Sequence, residues 1–149
     1  MKKYVFSEET INLYGKTLHR IKATRDFSNV HVGDLGGFIE DERNLSHDDT
    51  AWVDGKARVG GNAWVKGNAL IKGTRDIFWI SHIGSRNGTT TFFRNADNGI
   101  SVSCGCFYGT IDEFAAAVTK THGDNEHAQA YRHAIEIAKL RIKLGAAES

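Results

Sequence analysis

The sequence lacks proline entirely and has only two cysteines, Cys104 and Cys106. Without proline, a native cis-proline bond is excluded as a source of slow folding. The two thiols lie two residues apart, which suits a disulfide bond poorly, and they cannot form the disulfide framework of a small secreted protein. The composition therefore points away from the disulfide-rich extracellular class.

Long apolar runs and a charge bias are also missing. No stretch approaches the roughly 20 apolar residues that a membrane-spanning helix needs. The charged N-terminal start is not followed by the apolar region of a signal peptide. The net charge of +1 gives no excess of positive charge of the kind that nucleic-acid-binding proteins carry. We therefore expect a cytoplasmic protein that binds neither membranes nor DNA or RNA.

What the sequence does contain is apolar material for a core, together with a repeat of six residues. Of its 149 residues, 40% are hydrophobic and 25% are charged, which is typical of one or two small globular domains. From residue 50 to residue 78, a glycine, a small residue and a β-branched residue each recur at intervals of six. These are Gly55, Gly61, Gly67 and Gly73; Ala51, Ala57, Ala63 and Ala69; and Val53, Val59, Val65, Ile71 and Ile77.

The repeat predicts a hexapeptide β-helix, because short strands separated by glycine turns fit this period and no helical period does. Residues 33–78 would form about two to three triangular coils, with the alanine and β-branched positions inside. Trp52 and Trp64 lie between inward positions and are expected to face outward. Two exposed tryptophans at regular positions indicate a covered surface, so we expect a homo-oligomer with both residues at its interface.

The segment before the repeat predicts strands at residues 4–6, 10–14 and 17–23, with a bend at Gly15. The motif Gly-Asp-Leu-Gly-Gly-Phe-Ile-Glu at 33–40 then opens the repeat. This motif followed by hexads resembles prophage proteins with a left-handed β-helix, and the resemblance implies a fold and a phage setting but no activity. Larger left-handed β-helices include acyltransferases with a catalytic histidine; we do not assign that role to His47.

The pattern changes after Gly73. Residues 77–107 are typical of an antiparallel meander of three strands, and Asn-Gly at 98–99 is a hairpin signal. The expected fold class is therefore mainly β plus α. It combines a short left-handed β-helix in domain 1–73 with an α+β domain of β-β-β-α-α order in domain 74–149.

Two helices are predicted in the second domain. A capping box of Thr110 and Glu113 starts the first helix. Asn125 or Asp124 caps the second, which Gly145 ends. The buried stripe of the second helix is expected to contain Tyr131, Ala134, Ile135, Ala138 and Ile142, widened by Ile137, Leu140 and Leu144.

Residues that could bind a nucleotide-like phosphodiester gather where these elements meet. Helix N-termini attract anions, arginines bind phosphate through paired hydrogen bonds, and aromatic rings stack on a base. Each candidate also has a plainer interpretation as a cap, a core residue or a solvated charge. The candidates are Arg86, Phe107, Thr110, Phe114, His122, Asn125, Tyr131 and Arg132.

Two alternatives involve the cysteines. Cys104 and Cys106 with His122 and His127 could hold zinc, although the usual cysteine spacing is absent. A nucleophilic cysteine beside His122 is a second alternative, but no third orienting residue is evident. A cysteine on an inward strand face is more often a small core residue. We expect neither a metal nor a cofactor.

The second half carries its own resemblance. Its motifs are similar to those of one class of phage anti-Thoeris sponge proteins: residues 83–86, 89–93, 105–110, 113–114 and 121–125, with Tyr131. Those proteins assemble as oligomers and bind, without cleaving, cyclic ADP-ribose isomers made by bacterial TIR enzymes. Some also hold cyclic oligonucleotides of CBASS defence. Their compact members lack the N-terminal repeat.

This resemblance implies a non-catalytic protein that sequesters a cyclic nucleotide signal in the bacterial host cytoplasm. It implies ligand contacts from Phe114, Asn125 and either Arg132 or Arg141. The residue types agree, because they donate hydrogen bonds and stack, and no paired acid and base stands out. The main alternative is a protein-binding inhibitor or phage structural module without a small-molecule ligand. A zinc-dependent protein is the second.

Overall fold

The computed structural model describes residues 2–144, which divide into two compact units on either side of the bond between Thr74 and Arg75. Residues 2–144 have an α+β fold with two helices and three sheets, of which one is antiparallel, one is mixed and one is a parallel pair. Neither of the described helices is long and apolar enough to cross a membrane. The elements are β1 (Tyr4–Leu13), β2 (Lys16–Ala23), β3 (Leu35–Ile39), β4 (Trp52–Val53), β5 (Arg58–Val59), β6 (Leu70–Ile71), β7 (Ile77–Ile83), β8 (Gly88–Arg94), β9 (Ile100–Cys104), β10 (Phe107–Thr110), α1 (Ile111–His122) and α2 (Glu126–Arg141), with short 3-10 helices at Glu42–Asn44 and Thr74–Asp76.

The first unit begins with a long antiparallel hairpin of β1 and β2. Its turn is at Tyr14 and Gly15, whose φ angles of 53° and 82° suit a two-residue hairpin turn. Gly15 donates its N–H to the side chain of Asn12 at 3.2 Å. The predicted bend at Gly15 is therefore confirmed, and the hairpin extends the sheet on one side of β3.

The repeat does not form a β-helix. Strands β4, β5 and β6 are two residues long and divide between two sheets, in which β3 pairs parallel with β5 and β4 pairs parallel with β6. Residues 2–144 contain no closed or solenoid sheet. The predicted left-handed β-helix is therefore wrong. Gly55, Gly61 and Gly67 adopt positive φ and interrupt the strands, and the other edge of β3 is taken by antiparallel β2.

The inward positions of the repeat are buried as predicted. They are Ala51, Ala57, Ala63 and Ala69 with Val53, Val59, Val65 and Ile71. Trp52 does not face outward, however. Only 3% of its surface is exposed, because the ring of Phe27 packs edge-on against it at 5.3 Å between centroids. The expectation that Trp52 is exposed is wrong, whereas Trp64 is 38% exposed and its place at an interface stays a prediction.

The second unit holds an antiparallel sheet in the order β10-β9-β8-β7. The predicted meander of three strands gains a fourth, because the chain turns at residues 105–106 and β10 pairs back onto β9. Thr110 and Glu113 form the predicted capping box of α1. Asn125, rather than Asp124, caps α2.

Helix α2 is shorter than predicted. It ends at Arg141, and Ile142 already has extended backbone; Gly145, predicted to end the helix, lies outside the described residues. The predicted stripe from Tyr131 to Ile142 is buried. The expected widening of that stripe is wrong for Ile137 and Leu140, which are 40% and 69% exposed.

Replacing Gly36 by alanine is expected to destabilise the first unit by about 3 kcal/mol, because overpacking a filled interior forces neighbours apart. A Cβ at Gly36 would lie 2.5 Å from the Val53 carbonyl oxygen and 2.7 Å from a methylene of Ile21. Urea unfolding measures the loss, with tryptophan fluorescence reporting on the first unit in a Trp79→Phe background.

Gly73→Ala is the matched control, since a Cβ there meets no heavy atom within 4 Å. It should leave stability unchanged or raise it slightly, because alanine restricts the unfolded chain. Equal effects of the two substitutions would contradict the close approach at Gly36.

Candidate functional site

Three turns of the second unit meet at one end of its sheet, around Tyr131. The turn between β7 and β8 approaches so closely that a Cβ on Gly84 would lie 1.9 Å from the Tyr131 hydroxyl oxygen. At the end of β9, the sulfur of Cys104 is 3.8 Å from the same oxygen. His122, the last residue of α1, stacks on the Tyr131 ring at 6.0 Å between centroids. We call this region, with the turns at 84–87, 105–106 and 123–125, the loop end.

A row of rings runs from the core to the surface of the loop end. Phe107 contacts Phe114 at 5.3 Å between centroids, and Phe114 contacts Tyr131 at 5.4 Å. Beyond Tyr131 the row continues through His122 to His127, whose rings are 5.5 Å apart. Phe114 and Tyr131 are buried, whereas Phe107 and the two histidines are half-buried. The partly exposed rings are therefore supported from behind by core residues.

Tyr131 is suited to hydrogen bonding rather than to proton abstraction. Burial, with the neighbouring Cys104 as a further cause, raises the pKa of its hydroxyl to about 12. At neutral pH the group is therefore protonated and can donate or accept a hydrogen bond. Cys104 also accepts a hydrogen bond from Thr90 at 3.2 Å, so its sulfur faces the interior.

The sequence-derived candidates do not all lie at the loop end. Phe107 pairs with Cys104 at one end of the β9–β10 hairpin, whereas Thr110 pairs with Ser101 at the other. Thr110 lines a separate cleft of about 380 Å³ together with Lys139 from the last turn of α2. Arg141 ends the same helix, so it belongs to that opposite end. The loop end collects the others: Arg86, Phe107, His122, Asn125, Tyr131 and Arg132, with Phe114 behind them.

Two of the collected residues have structural tasks. Arg132 donates to Asp124 at 2.8 Å and to the Gly123 carbonyl at 2.7 Å, which ties α2 to the loop before it. Asn125 accepts the N–H of Ala128 at 3.0 Å as the helix cap. The plainer interpretation of Asn125 as a helix cap is therefore confirmed, whereas Arg132 is bonded to the preceding loop and is not simply a solvated charge. A ligand that contacts either side chain would have to compete with these hydrogen bonds.

The zinc hypothesis finds no support at this site. Cys104 is half-buried in β9, while Cys106 is exposed in the following turn. In residues 2–144 no group of three or more His, Cys, Asp or Glu side chains is arranged to hold a metal ion. Cys104 has Thr90 and Tyr131 as its described sulfur partners, neither of which resembles the histidine base of a cysteine nucleophile.

The first unit contains a polar cluster that the sequence did not reveal. His47 accepts the backbone N–H of Lys3 on Nδ1 at 3.0 Å, and its Nε2 lies 2.9 Å from Glu42. Its ring stacks on Tyr4 at 4.1 Å between centroids. The hydrogen bond from His47, aided by Lys2, holds the pKa of Glu42 below its usual range. Both imidazole nitrogens are thus occupied, which argues against an acid–base role for His47.

Lys3 lies at the centre of this cluster with its side chain fully buried. Its ammonium contacts the Asp49 carboxylate at 3.2 Å and the carbonyl of Ala51. Burial lowers the pKa of Lys3 from 10.5 to about 8, although Asp49 opposes this shift. Burial by itself would raise the pKa of Asp49, but hydrogen bonds from Ser46 and from the N–H groups of Gly67 and Ala51, together with the charge of Lys3, lower that pKa. Both groups are therefore charged at neutral pH.

An open cleft of about 610 Å³ lies beside this cluster in the first unit. It is bordered by the exposed ring of Trp64, over which the Lys66 ammonium sits at 4.1 Å from the centroid. Glu42 and His47 also line it. The cleft combines an apolar surface with polar groups whose positions are fixed by hydrogen bonds.

No protein-family model matches the sequence, and no curated protein matches it either.

Lys3 is expected to make the first unit more stable as the pH rises from about 8 to about 10.5. In that window the unfolded chain still binds a proton that the folded chain has lost, so stability increases with pH. Relative to Lys3→Met, the free energy of unfolding of the unchanged protein should gain roughly 2 kcal/mol between pH 7 and pH 10.

Both proteins contain the same tyrosines and cysteines, so the titration of these groups cancels in the difference between their free energies of unfolding. Urea unfolding at several pH values measures it, and Lys2→Met, at an exposed position, is the control and should show no such gain. A Lys3 side-chain signal in NMR that titrates at its usual value would disprove the lowered pKa, whether or not the variant folds.

Proposed function

We propose that the protein binds and sequesters, without cleaving it, a cyclic nucleotide-type signal at the loop end. The best candidate is a cyclic ADP-ribose isomer, with cyclic oligonucleotides as a related class. By removing such a signal from the bacterial host cytoplasm, the protein would block an anti-phage defence. The observation that carries the proposal is the grouping of Phe107, His122 and Tyr131, from three separate segments, beside the turn that bears Arg86.

The rings at the loop end fit the flat part of such a ligand. Phe107, His122 and His127 are half-buried, so each ring keeps an exposed part while the core holds its position. Stacking on aromatic faces recognises bases through their surface rather than through their edges. Tyr131, which is itself buried, supports these rings from behind.

The phosphates of the ligand would lie near Arg86 and the start of α2. Arg86 is exposed and lies two residues after Gly84, which touches Tyr131. The N-terminus of α2, capped by Asn125, follows directly after the 123–125 loop, and its backbone N–H groups favour anions. Because Arg132 is bound to Asp124 and Arg141 belongs to the opposite end, we assign the phosphate fork to Arg86.

Binding is tested by calorimetry with a cyclic ADP-ribose isomer, using linear ADP-ribose as the comparison ligand. We expect micromolar or tighter binding of the cyclic compound. Heat denaturation of the complex should return the ligand intact, as measured by mass spectrometry. No binding of any cyclic nucleotide at micromolar concentration would refute the proposal, and linear products would show that the protein is a hydrolase that cleaves the ligand.

Substitutions should locate the site at the loop end. Arg86→Gln and His122→Ala should each weaken binding at least about tenfold, because each removes an anion or ring contact. Arg141→Gln and His133→Ala are the matched controls, since one lies at the opposite end and the other on the outer face of α2. Equal losses from a variant and its control would show that the ligand is held elsewhere.

The second candidate function is binding of a protein partner at the first unit, which the exposed Trp64 beside the 610 Å³ cleft favours. Trp52 no longer contributes to this candidate because it is buried. Trp64→Ala should then abolish capture of a host protein while leaving nucleotide binding unchanged. Retained capture by this variant would remove the candidate.

A further inference from the structure

Helix α2 presents a second apolar face, opposite to the one in the core. The core face carries Tyr131, Ala134, Ile135 and Ala138, all buried. The outer face exposes two large apolar side chains, Ile137 and Leu140, one helical turn apart. His133 is exposed on the same face, and Ala130 lies at its edge, partly buried. We call Ala130, His133, Ile137 and Leu140 the α2 seam.

The spacing of the α2 seam is that of a two-stranded coiled coil. Its residues are separated by three, four and three positions, which alternate as the a and d positions of a heptad do. Ala130 and Ile137 fall at a positions, and His133 and Leu140 at d positions. In a parallel coiled coil, a β-branched residue at a together with leucine at d favours two helices over three or four.

The charges beside the seam favour a parallel orientation. Glu136 occupies the g position before Ile137, and Arg141 occupies the e position after Leu140. In a parallel pair, the g residue of one helix faces the e residue of the following heptad in the other helix. Glu136 of each copy therefore faces Arg141 of the other, which gives two ion pairs per dimer. An antiparallel pair would instead bring like charges together. The ion pair of Glu136 with Lys139, at 3.6 Å and exposed, is too weak to compete.

We propose that two copies of the chain associate through the α2 seam as a short parallel coiled coil. The proposal does not depend on the proposed ligand. Only two large apolar layers are available, because the helix ends at Arg141, and His133 adds a polar layer that fixes the register. The dimer is therefore weak and depends on protein concentration, with a dissociation constant on the order of 10 to 100 µM.

Sedimentation velocity on the full chain without ligand, over a concentration series, tests the proposal. Leu140→Glu should weaken the dimer at least about tenfold, because it puts a charge into the seam. Val32→Glu changes an exposed apolar residue of the first unit and should leave association unchanged. His133→Leu should tighten the dimer about tenfold by adding an apolar layer. Circular dichroism of each variant confirms that it folds.

Exchange of charges tests the parallel orientation separately. Glu136→Arg and Arg141→Glu should each weaken the dimer about fivefold, and the double variant should restore it, since the pair is only reversed. A purely monomeric protein at about 1 mM, or a dimer insensitive to Leu140→Glu, overturns the proposal. Failure of the double variant to recover overturns the parallel arrangement.

Discussion

The close approach of β3 to residues 52–57 is the constraint on which the first unit depends. Gly36 and Gly37 lack the Cβ atoms that would collide with Val53 and with the carbonyl of Ala57. At this distance Phe38 donates its N–H to that carbonyl at 2.9 Å, which starts the parallel pairing of β3 with β5. The same approach encloses the Trp52 ring. The repeat is thus packed against β3 instead of winding into coils of its own.

Local features of the fold could be predicted from the sequence, and non-local ones could not. The capping box of Thr110 and the turn at Gly15 depend on neighbours within a few residues, and the inward alanines follow from the six-residue period alone. The burial of Trp52 depends on Phe27, which lies in an irregular segment with no repeat to indicate where it folds. The prediction of a β-helix was wrong for the same reason. Strand β2 pairs with one edge of β3, and nothing in the six-residue repeat indicates that this edge is occupied.

The candidate site was predictable in residue type but not in position. Phe107 and Thr110 are three residues apart, yet they lie at opposite ends of the β9–β10 hairpin. The sequence pattern predicts a strand through residues 105–106, where the structure has a turn. The cluster of Lys3 and His47 is not predictable from a sequence pattern because its members are far apart in the chain. A lysine near an N-terminus is ordinarily solvated, and the carboxylate of Asp49 together with the carbonyl of Ala51 makes the burial of Lys3 tolerable.

The two faces of α2 connect the proposed dimer with the proposed ligand site. Tyr131 lies on the core face and holds the loop end together, whereas Leu140 lies on the outer face. Because a helix presents these positions to opposite sides, association through the α2 seam leaves the rings of His122 and His127 uncovered. Each copy would then bind its own ligand without a residue from the other. The dimer would then carry two complete ligand sites, one in each copy. Ligand affinity should therefore not change as the dimer dissociates.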